Sequence, residues 1–236
     1  WENLTFWDLE GNQLRDLPWS FYRLKNLQVL DLEKNLLTLL PAEIGNLRKL
    51  RQLDISRNQL TFLPVPADTM WRLEDLYLAD NQLDTISQFI GSMPNLKKLN
   101  LSGNQLHEPL QGLTKKPNLE VLDLSKNQLD SLSPVIGELA NLKELSLAQN
   151  QLTTLPEQMA NLRNLKKLDL RNNQIVYLPE NLSQWEMLEE LDLRGNPLAS
   201  VAKKPQKQTD PSSEVDSDRS EIERIRVLLP NTKIKF

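Results

Sequence analysis

The chain has 236 residues, 39% of them hydrophobic and 25% charged, enough for one extended domain or two small compact ones. A net charge of −4 argues against a wide basic surface for nucleic acid or acidic lipid and favours a protein partner. The absence of cysteine removes disulfides, thiolate metal sites and thiol nucleophiles, and no apolar run approaches the roughly 20 residues that span a bilayer.

From the N-terminus onward the chain repeats itself. Asn12, Asn35, Asn58, Asn81, Asn104, Asn127, Asn150, Asn173 and Asn196 stand 23 residues apart with no insertion or deletion. Eight residues before each stands a leucine, from Leu4 and Leu27 to Leu188. Five before it comes Trp7 in the first unit and leucine in the rest, three before it leucine or Ile55, two after it leucine or Ile175.

Each unit can be read physically. The L-x-L alternation is a short strand with one buried face, so it predicts one strand per unit in a parallel sheet, with the intervening residues facing solvent. The chain then turns, and a buried Asn side chain donates to and accepts from backbone groups that the turn leaves unpaired; nine such residues predict an internal asparagine ladder. The second half reads as Leu40-Pro41-Ala42-Glu43-Ile44 through Leu47, or Leu155-Pro156 through Leu162, with apolar residues three apart on a short helical turn. One unit cannot bury its apolar face alone, and nine strands about 4.8 Å apart give a sheet roughly 40 Å across.

The pattern L-x-x-L-x-L-x-x-N-x-L resembles that of leucine-rich-repeat proteins over residues 1 to about 202. The resemblance implies an α/β solenoid, a curved horseshoe or arc, with nine repeats, a parallel concave sheet and a C-terminal capping helix.

The ends depart from the pattern. Trp1-Glu2-Asn3-Leu4 aligns with Trp185-Glu186-Met187-Leu188, so the chain starts inside a repeat. Either upstream repeats or a cap have been removed, or Trp1, Trp7 and Trp19 plug the end of the core; the sequence leaves both open. After the solenoid at 1–202, residues 203–219 are polar and predict a flexible loop, and 220–236 a cap of one helix and a short strand. Ser220-Glu221-Ile222-Glu223 is a capping box, with Ile222, Ile225, Val227, Leu228 and Leu229 following until Pro230 stops the helix. Thr232 to Phe236 alternates and predicts an edge strand. The ending from Ile225 to Phe236 is similar to that of short bacterial leucine-rich-repeat proteins, which implies a bacterial origin.

Catalytic chemistry has no foothold: His107 is the only histidine, and there is no G-x-S-x-G, P-loop or G-x-G-x-x-G. The reading is therefore no enzyme, no cofactor and no metal. The best constellation is the column four residues before each Asn, on the concave face: Asp8, Asp31, Asp54, Tyr77, Asn100, Asp123, Ser146, Asp169 and Asp192. Carboxylates about 5 Å apart raise one another's pKa and suit Ca²⁺ or the basic side chains of a partner. Against that, L-D-L is common in the repeat family, and the metal reading is the weaker of the two.

A second column lies two residues earlier and holds Phe6, Val29, Asp75, Lys98 and Lys167. Phe6, Val29 and Tyr77 are the expected anchors, because aromatic and apolar side chains dominate interface energetics. Lys143, Lys166, Lys167, Arg171 and Arg194 are expected on the same face beside Asp169 and Asp192, making it acidic first and then mixed. The convex side is irregular at Pro64-Val65-Pro66-Ala67, Ile86-Ser87 and Glu108-Pro109-Leu110, and Lys116 replaces an apolar residue. These mark a second contact site or mere tolerance.

The leading expectation is a protein–protein interaction module that binds a protein through the concave face, as a bacterial host-interaction or cell-surface recognition protein, secreted or at the cell surface in preference to cytoplasmic. The alternatives are a scaffold fragment of a larger signalling or enzymatic protein, and a structural protein that self-assembles through an open N-terminal end or the edge strand. Neither nucleic acid binding nor membrane insertion is expected, and a monomer is.

Overall fold

Three residues suffice for each strand, because only the middle one must reach the core. In the computed structural model, which describes residues 3–65, 69–85, 88–107, 113, 116–198 and 220–236, ten strands follow in chain order. They are β1 (Phe6–Asp8), β2 (Val29–Asp31), β3 (Gln52–Asp54), β4 (Asp75–Tyr77), β5 (Lys98–Asn100), β6 (Val121–Asp123), β7 (Glu144–Ser146), β8 (Lys167–Asp169), β9 (Glu190–Asp192) and β10 (Lys233–Lys235). All ten form one parallel sheet in sequence order, and equivalent residues of successive coils pair. The central residues Leu30, Leu53 and Leu76 are fully buried, so a slip of one residue would turn every core side chain outward.

The return path of most units is a 3₁₀ turn opened by proline or serine. Pro18, Pro41 and Pro156 are extended, and their carbonyls accept from Phe21, Ile44 and Met159. Between β4 and β5 the turn is a one-turn helix, α1 (Gln88–Gly91). Leu32, Leu37, Ile44 and Leu47 of one coil are buried with their counterparts in the next, giving one continuous core.

The asparagines stitch the coils together. Asn104 Nδ2 donates to Leu78 of the preceding coil at 2.9 Å and to Leu101 of its own at 3.0 Å, while Oδ1 accepts from the Leu83 N–H at 3.0 Å. The same set recurs from Asn35 to Asn173, all of them buried; Asn12 is exposed and Asn196 partly so. The residue before each ladder asparagine has φ between 52° and 74°, as a glycine at Gly11, Gly103 and Gly195 and a side-chain-bearing residue such as Lys34 or Arg57 elsewhere.

At the N-terminal end Trp7 stacks on Phe21 at 5.0 Å, and Phe21 meets Tyr22 edge-on at 5.6 Å. The expected tryptophan plug is corrected in part. Trp19, first in its turn, is 65% exposed, with the Arg23 guanidinium 3.9 Å above its ring; the next turn positions, Phe21 and Tyr22, point inward instead. Trp1 lies outside the described residues.

At the other end, helix α2 (Glu221–Leu228) carries the capping box, with the Glu223 N–H donating to Ser220 Oγ and the Ser220 N–H to Glu223 Oε2. Ile225 and Leu229 are buried, but Val227 is 58% exposed, since two residues past Ile225 the helix has turned about 200° away from the core. Glu221, expected only as a capping-box residue, is 1% exposed. Its Oε1 accepts from the Leu178 N–H at 2.8 Å and Arg224 Nη2 at 2.7 Å, while Arg224 Nη2 donates to the Leu178 carbonyl. The expected loop at 203–219 lies outside the described residues. Among the described residues no helix is long and apolar enough to cross a membrane.

Candidate functional site

The parallel register turns two positions of each strand into continuous columns on the open side of the sheet. One runs Phe6, Val29, Gln52, Asp75, Lys98, Val121, Glu144, Lys167, Glu190; the other runs Asp8, Asp31, Asp54, Tyr77, Asn100, Asp123, Ser146, Asp169, Asp192. Phe6 is 57% exposed, and Val29 and Tyr77 are half-buried. The sheet thus brings the residues singled out in sequence onto one surface, with Phe6 beside Val29 and Tyr77 beside Asp54.

The acidic column has a structural task that the sequence reading missed. One oxygen of each acid accepts the N–H two residues on: Asp8 from Glu10, Asp31 from Glu33, Asp54 from Ser56, Asp123 from Ser125, Asp169 from Arg171 and Asp192 from Arg194, at 2.8 to 3.3 Å. Asn100 does the same for Ser102. This local bond sets the turn after the strand and explains Asp or Asn there without any ligand.

The two ends of the sheet differ electrostatically. From β7 onward the acids are paired internally: Arg171 grips Asp169 through Nε and Nη2, Arg194 grips Asp192, Lys167 meets Glu144 at 2.9 Å, and Lys235 of β10 bonds Glu190. These groups line a shallow cavity of about 360 Å³. Lys143 and Lys166, expected in this group, are placed differently. They precede their strands by one residue, pair with Glu120 and Glu189, and leave the cavity to Lys167, Arg171 and Arg194. The equivalent row nearer the N-terminus holds Arg51–Glu74–Lys97, bonded across three coils at 2.7 and 2.8 Å.

In the N-terminal half, Asp75 has Lys98 at 3.4 Å and Glu10 has Lys34, while no ion pair reaches Asp8, Asp31 or Asp54 among the described residues. One carboxylate oxygen from each of Asp31, Glu33 and Asp54 lies within 4.8 Å of the others. Glu33 is the member that the sequence reading overlooked, although it stands two residues after Asp31. Burial pushes the Asp54 carboxyl above its usual range, the charges of Asp31 and Glu33 add to this, and the bonds from Ser56 oppose it. Burial also acts upward on Asp192, but the Arg194 bonds and the Arg194 and Arg171 charges hold it below the usual range. Mutual repulsion therefore contributes at Asp54, whereas at Asp192 the arginines override burial. Tyr77 is raised by burial and then by Asp75.

His107 is exposed. Lys116 is only 3% exposed, its Nζ 3.4 Å from the Gly91 carbonyl, and burial lowers its pKa. Of the irregular convex segments, Pro64 is half-buried and Val65 exposed; Pro66-Ala67, Ile86-Ser87 and Glu108-Pro109-Leu110 lie outside the described residues.

Comparisons with known proteins agree with this architecture. A family model described as leucine rich repeat matches residues 2–60, 117–175 and 140–198, and a two-copy model of leucine rich repeats matches 48–92, 71–115 and 94–137. A leucine-rich-repeat protein of Leptospira interrogans is similar over 100% of this chain and 61% of its own, with 32% identity and a TM-score of 0.73. An internalin of Listeria monocytogenes shares the fold, at 22% identity and a TM-score of 0.68, over 85% of this chain and 63% of its own. The leucine-rich-repeat ectodomain of the Arabidopsis thaliana membrane receptor kinase GASSHO1/SCHENGEN3, solved in complex with Casparian strip integrity factor 2, is 30% identical. It covers 83% of this chain and 24% of its own, at a TM-score of 0.71. The chain thus spans less than two thirds of the length of each of these proteins. No curated protein sequence matches it.

Proposed function

The chain belongs to the leucine-rich-repeat family, and on that premise we propose that the open side of its sheet binds a protein partner. The observation that carries this reading is the in-register surface itself. It presents an exposed Phe6 beside Val29, a half-buried Tyr77, and at one end the carboxylates of Asp8, Asp31 and Asp54, which no ion pair reaches among the described residues. A rigid surface with apolar anchors pays little entropy on docking, and its charge pattern orients the partner. The plant receptor ectodomain, solved in complex with Casparian strip integrity factor 2, supports a recognition role for such a repeat module. Likeness to the Leptospira protein along the whole chain supports a bacterial setting, in which the module is exported or displayed and recognises a host or surface protein.

The test is affinity capture from bacterial and host extracts with the wild-type chain beside a Phe6→Ala, Val29→Ala, Tyr77→Ala variant, followed by direct affinity measurement with each purified partner. A partner that binds wild type and loses affinity for the variant, with the circular dichroism of the variant unchanged, is the expected result. A partner held equally by both variants would move recognition away from these columns.

A further inference from the structure

The repeat contains its own example of what an aspartate in the central column binds. Asp169 and Asp192 offer Oδ1 to the N–H two residues on, and the guanidinium of that same residue straddles the carboxylate, with Nε donating to Oδ1 at 2.9 Å and Nη2 to Oδ2. Nη2 of Arg171 and of Arg194 each stands 2.7 Å from Oδ2. Asp31 and Asp54 reproduce the first half of the arrangement, with Oδ1 2.9 and 2.8 Å from the N–H of Glu33 and Ser56. The position two residues on holds a carboxylate and a hydroxyl in place of arginine. Asp8 and Asp123, with Glu10 and Ser125 at that position, are built alike, and Asp31 and Asp54 are the neighbouring pair whose carboxylates converge with Glu33; among the described residues no ion pair fills these two seats, whereas their counterparts five coils or more away hold an arginine.

We propose that Asp31 and Asp54 receive an arginine side chain from the protein partner, its guanidinium entering as Arg171 and Arg194 do at Asp169 and Asp192. The inference rests on the reading that the open side of the sheet binds protein. Asp31 and Asp54 are directly paired across β2 and β3, so a planar fork with several N–H donors spans both Oδ2 atoms better than a single ammonium does. Tyr77 continues the column beside Asp54, and Val29 lies two residues before Asp31, giving apolar surface to the arginine stem. Glu33 completes the acidic group but already faces Arg57 at 3.3 Å and Lys34 at 3.7 Å. A hard divalent ion is a poorer match, since it seeks about six to eight oxygens and this group gathers three, one of them engaged. The like-charge crowding that helps to raise Asp54 is what an incoming cation relieves.

The probe is N-acetyl-leucyl-arginyl-leucinamide, titrated into the ¹⁵N-labelled full chain and followed by amide NMR, with the citrulline and lysine peptides run in parallel. Saturable shifts are expected at the Glu33 and Ser56 amides, which report on the two Oδ1 bonds, and none at Arg171 and Arg194, whose seats are filled. The citrulline peptide should leave these amides unmoved, and the lysine peptide should bind more weakly. Asp31→Asn with Asp54→Asn should abolish the response while keeping the fold, because Asn100 already performs the Oδ1 task in the same column. Ser56→Arg should supply the guanidinium internally and weaken the peptide about tenfold or more, the worth of one charge-assisted hydrogen bond.

Absence of saturable shifts, or equal shifts with citrulline or with the double Asn variant, would overturn the proposal. So would movement of the same amides by calcium chloride alone with no response to the arginine peptide, which would mark a cation site. A captured partner that loses affinity for the Phe6, Val29, Tyr77 variant but not for the double Asn variant would sink the arginine seat and leave the protein-binding reading standing.

Discussion

Replacing Asn104 by alanine tests whether the asparagine ladder holds the coils together. Asn104 is 6% exposed, and its Oδ1 is the acceptor at 3.0 Å for the Leu83 N–H, which has no other partner among the described residues. The carbonyls of Leu78 and Leu101 each lose one of two asparagine donors, since Asn81 also reaches Leu78 and Asn127 also reaches Leu101. One orphaned buried N–H costs about 1–3 kcal/mol and each lost carbonyl bond about 1 kcal/mol, so the sum is roughly 3–5 kcal/mol. Asn12→Ala is the internal control: that residue is exposed, among the described residues it bonds carbonyls of its own coil alone, and its loss should cost under about 1 kcal/mol. Urea unfolding by circular dichroism gives the difference in midpoint, and hydrogen exchange at the Leu83 amide locates it. Equal midpoints for the two variants, or an unchanged Leu83 exchange rate, would refute the reasoning.

Three further outcomes follow from the same geometry. Glu221→Ala removes the buried acceptor of Leu178 and strands Arg224, which should cost about 3 kcal/mol or more and expose α2 and β10 to hydrogen exchange while β2 to β5 stay protected; uniform loss of protection would contradict it. Asp54 and Asp192 should respond to pH with opposite signs. Asp54 is raised on folding, so its contribution is fully present below the unfolded pKa and lost as pH rises through the folded one; Asp54→Asn should therefore stabilise at neutral pH and cease to do so in acid. Asp192 is lowered, so its contribution is present above the unfolded pKa and lost as pH falls through the folded one; Asp192→Asn should destabilise at neutral pH and not in acid, both read from melting temperature against pH. Gly137→Ala would push a Cβ into the Gln158 backbone, with Gln158 Cβ at 2.8 Å, and should cost about 1–3 kcal/mol, whereas Gly91→Ala meets nothing within 4 Å and should be neutral or mildly stabilising by urea titration.

What the sequence made legible was whatever is decided within one 23-residue unit. Leu30, Asn35 and Ile44 have their burial dictated by a pattern that the next coil repeats, so strand, ladder and turn were all readable, and the parallel register followed from the absence of insertions. The ends were less legible because their contacts span long separations or lack a neighbouring coil. Glu221 meets a backbone N–H 43 residues earlier, a relation no local pattern carries. Trp19 and Phe21 differ by two positions in one turn, and only the location of the core decides which of them is covered. On the open side, sequence placed the columns but not the direction of individual side chains. That Arg171 folds back onto Asp169 while Lys143 pairs outside its strand depends on side-chain reach, which periodicity does not encode.

The central column keeps the turn's requirement for an acceptor apart from the charge of the surface. One oxygen of each aspartate is committed to the turn, and the asparagine at position 100 shows that an amide oxygen meets the same requirement. The second oxygen is therefore not needed by the backbone, and its charge can vary in use without disturbing the coil. Where the residue two positions on is arginine, the charge is neutralised within the coil; where it is glutamate or serine, no ion pair neutralises it among the described residues. Changing that one residue thus switches a coil between a closed and an open anionic seat, while the leucines and asparagines beneath it remain as they are. The charge pattern of this surface is accordingly written two residues after the strand as much as within it.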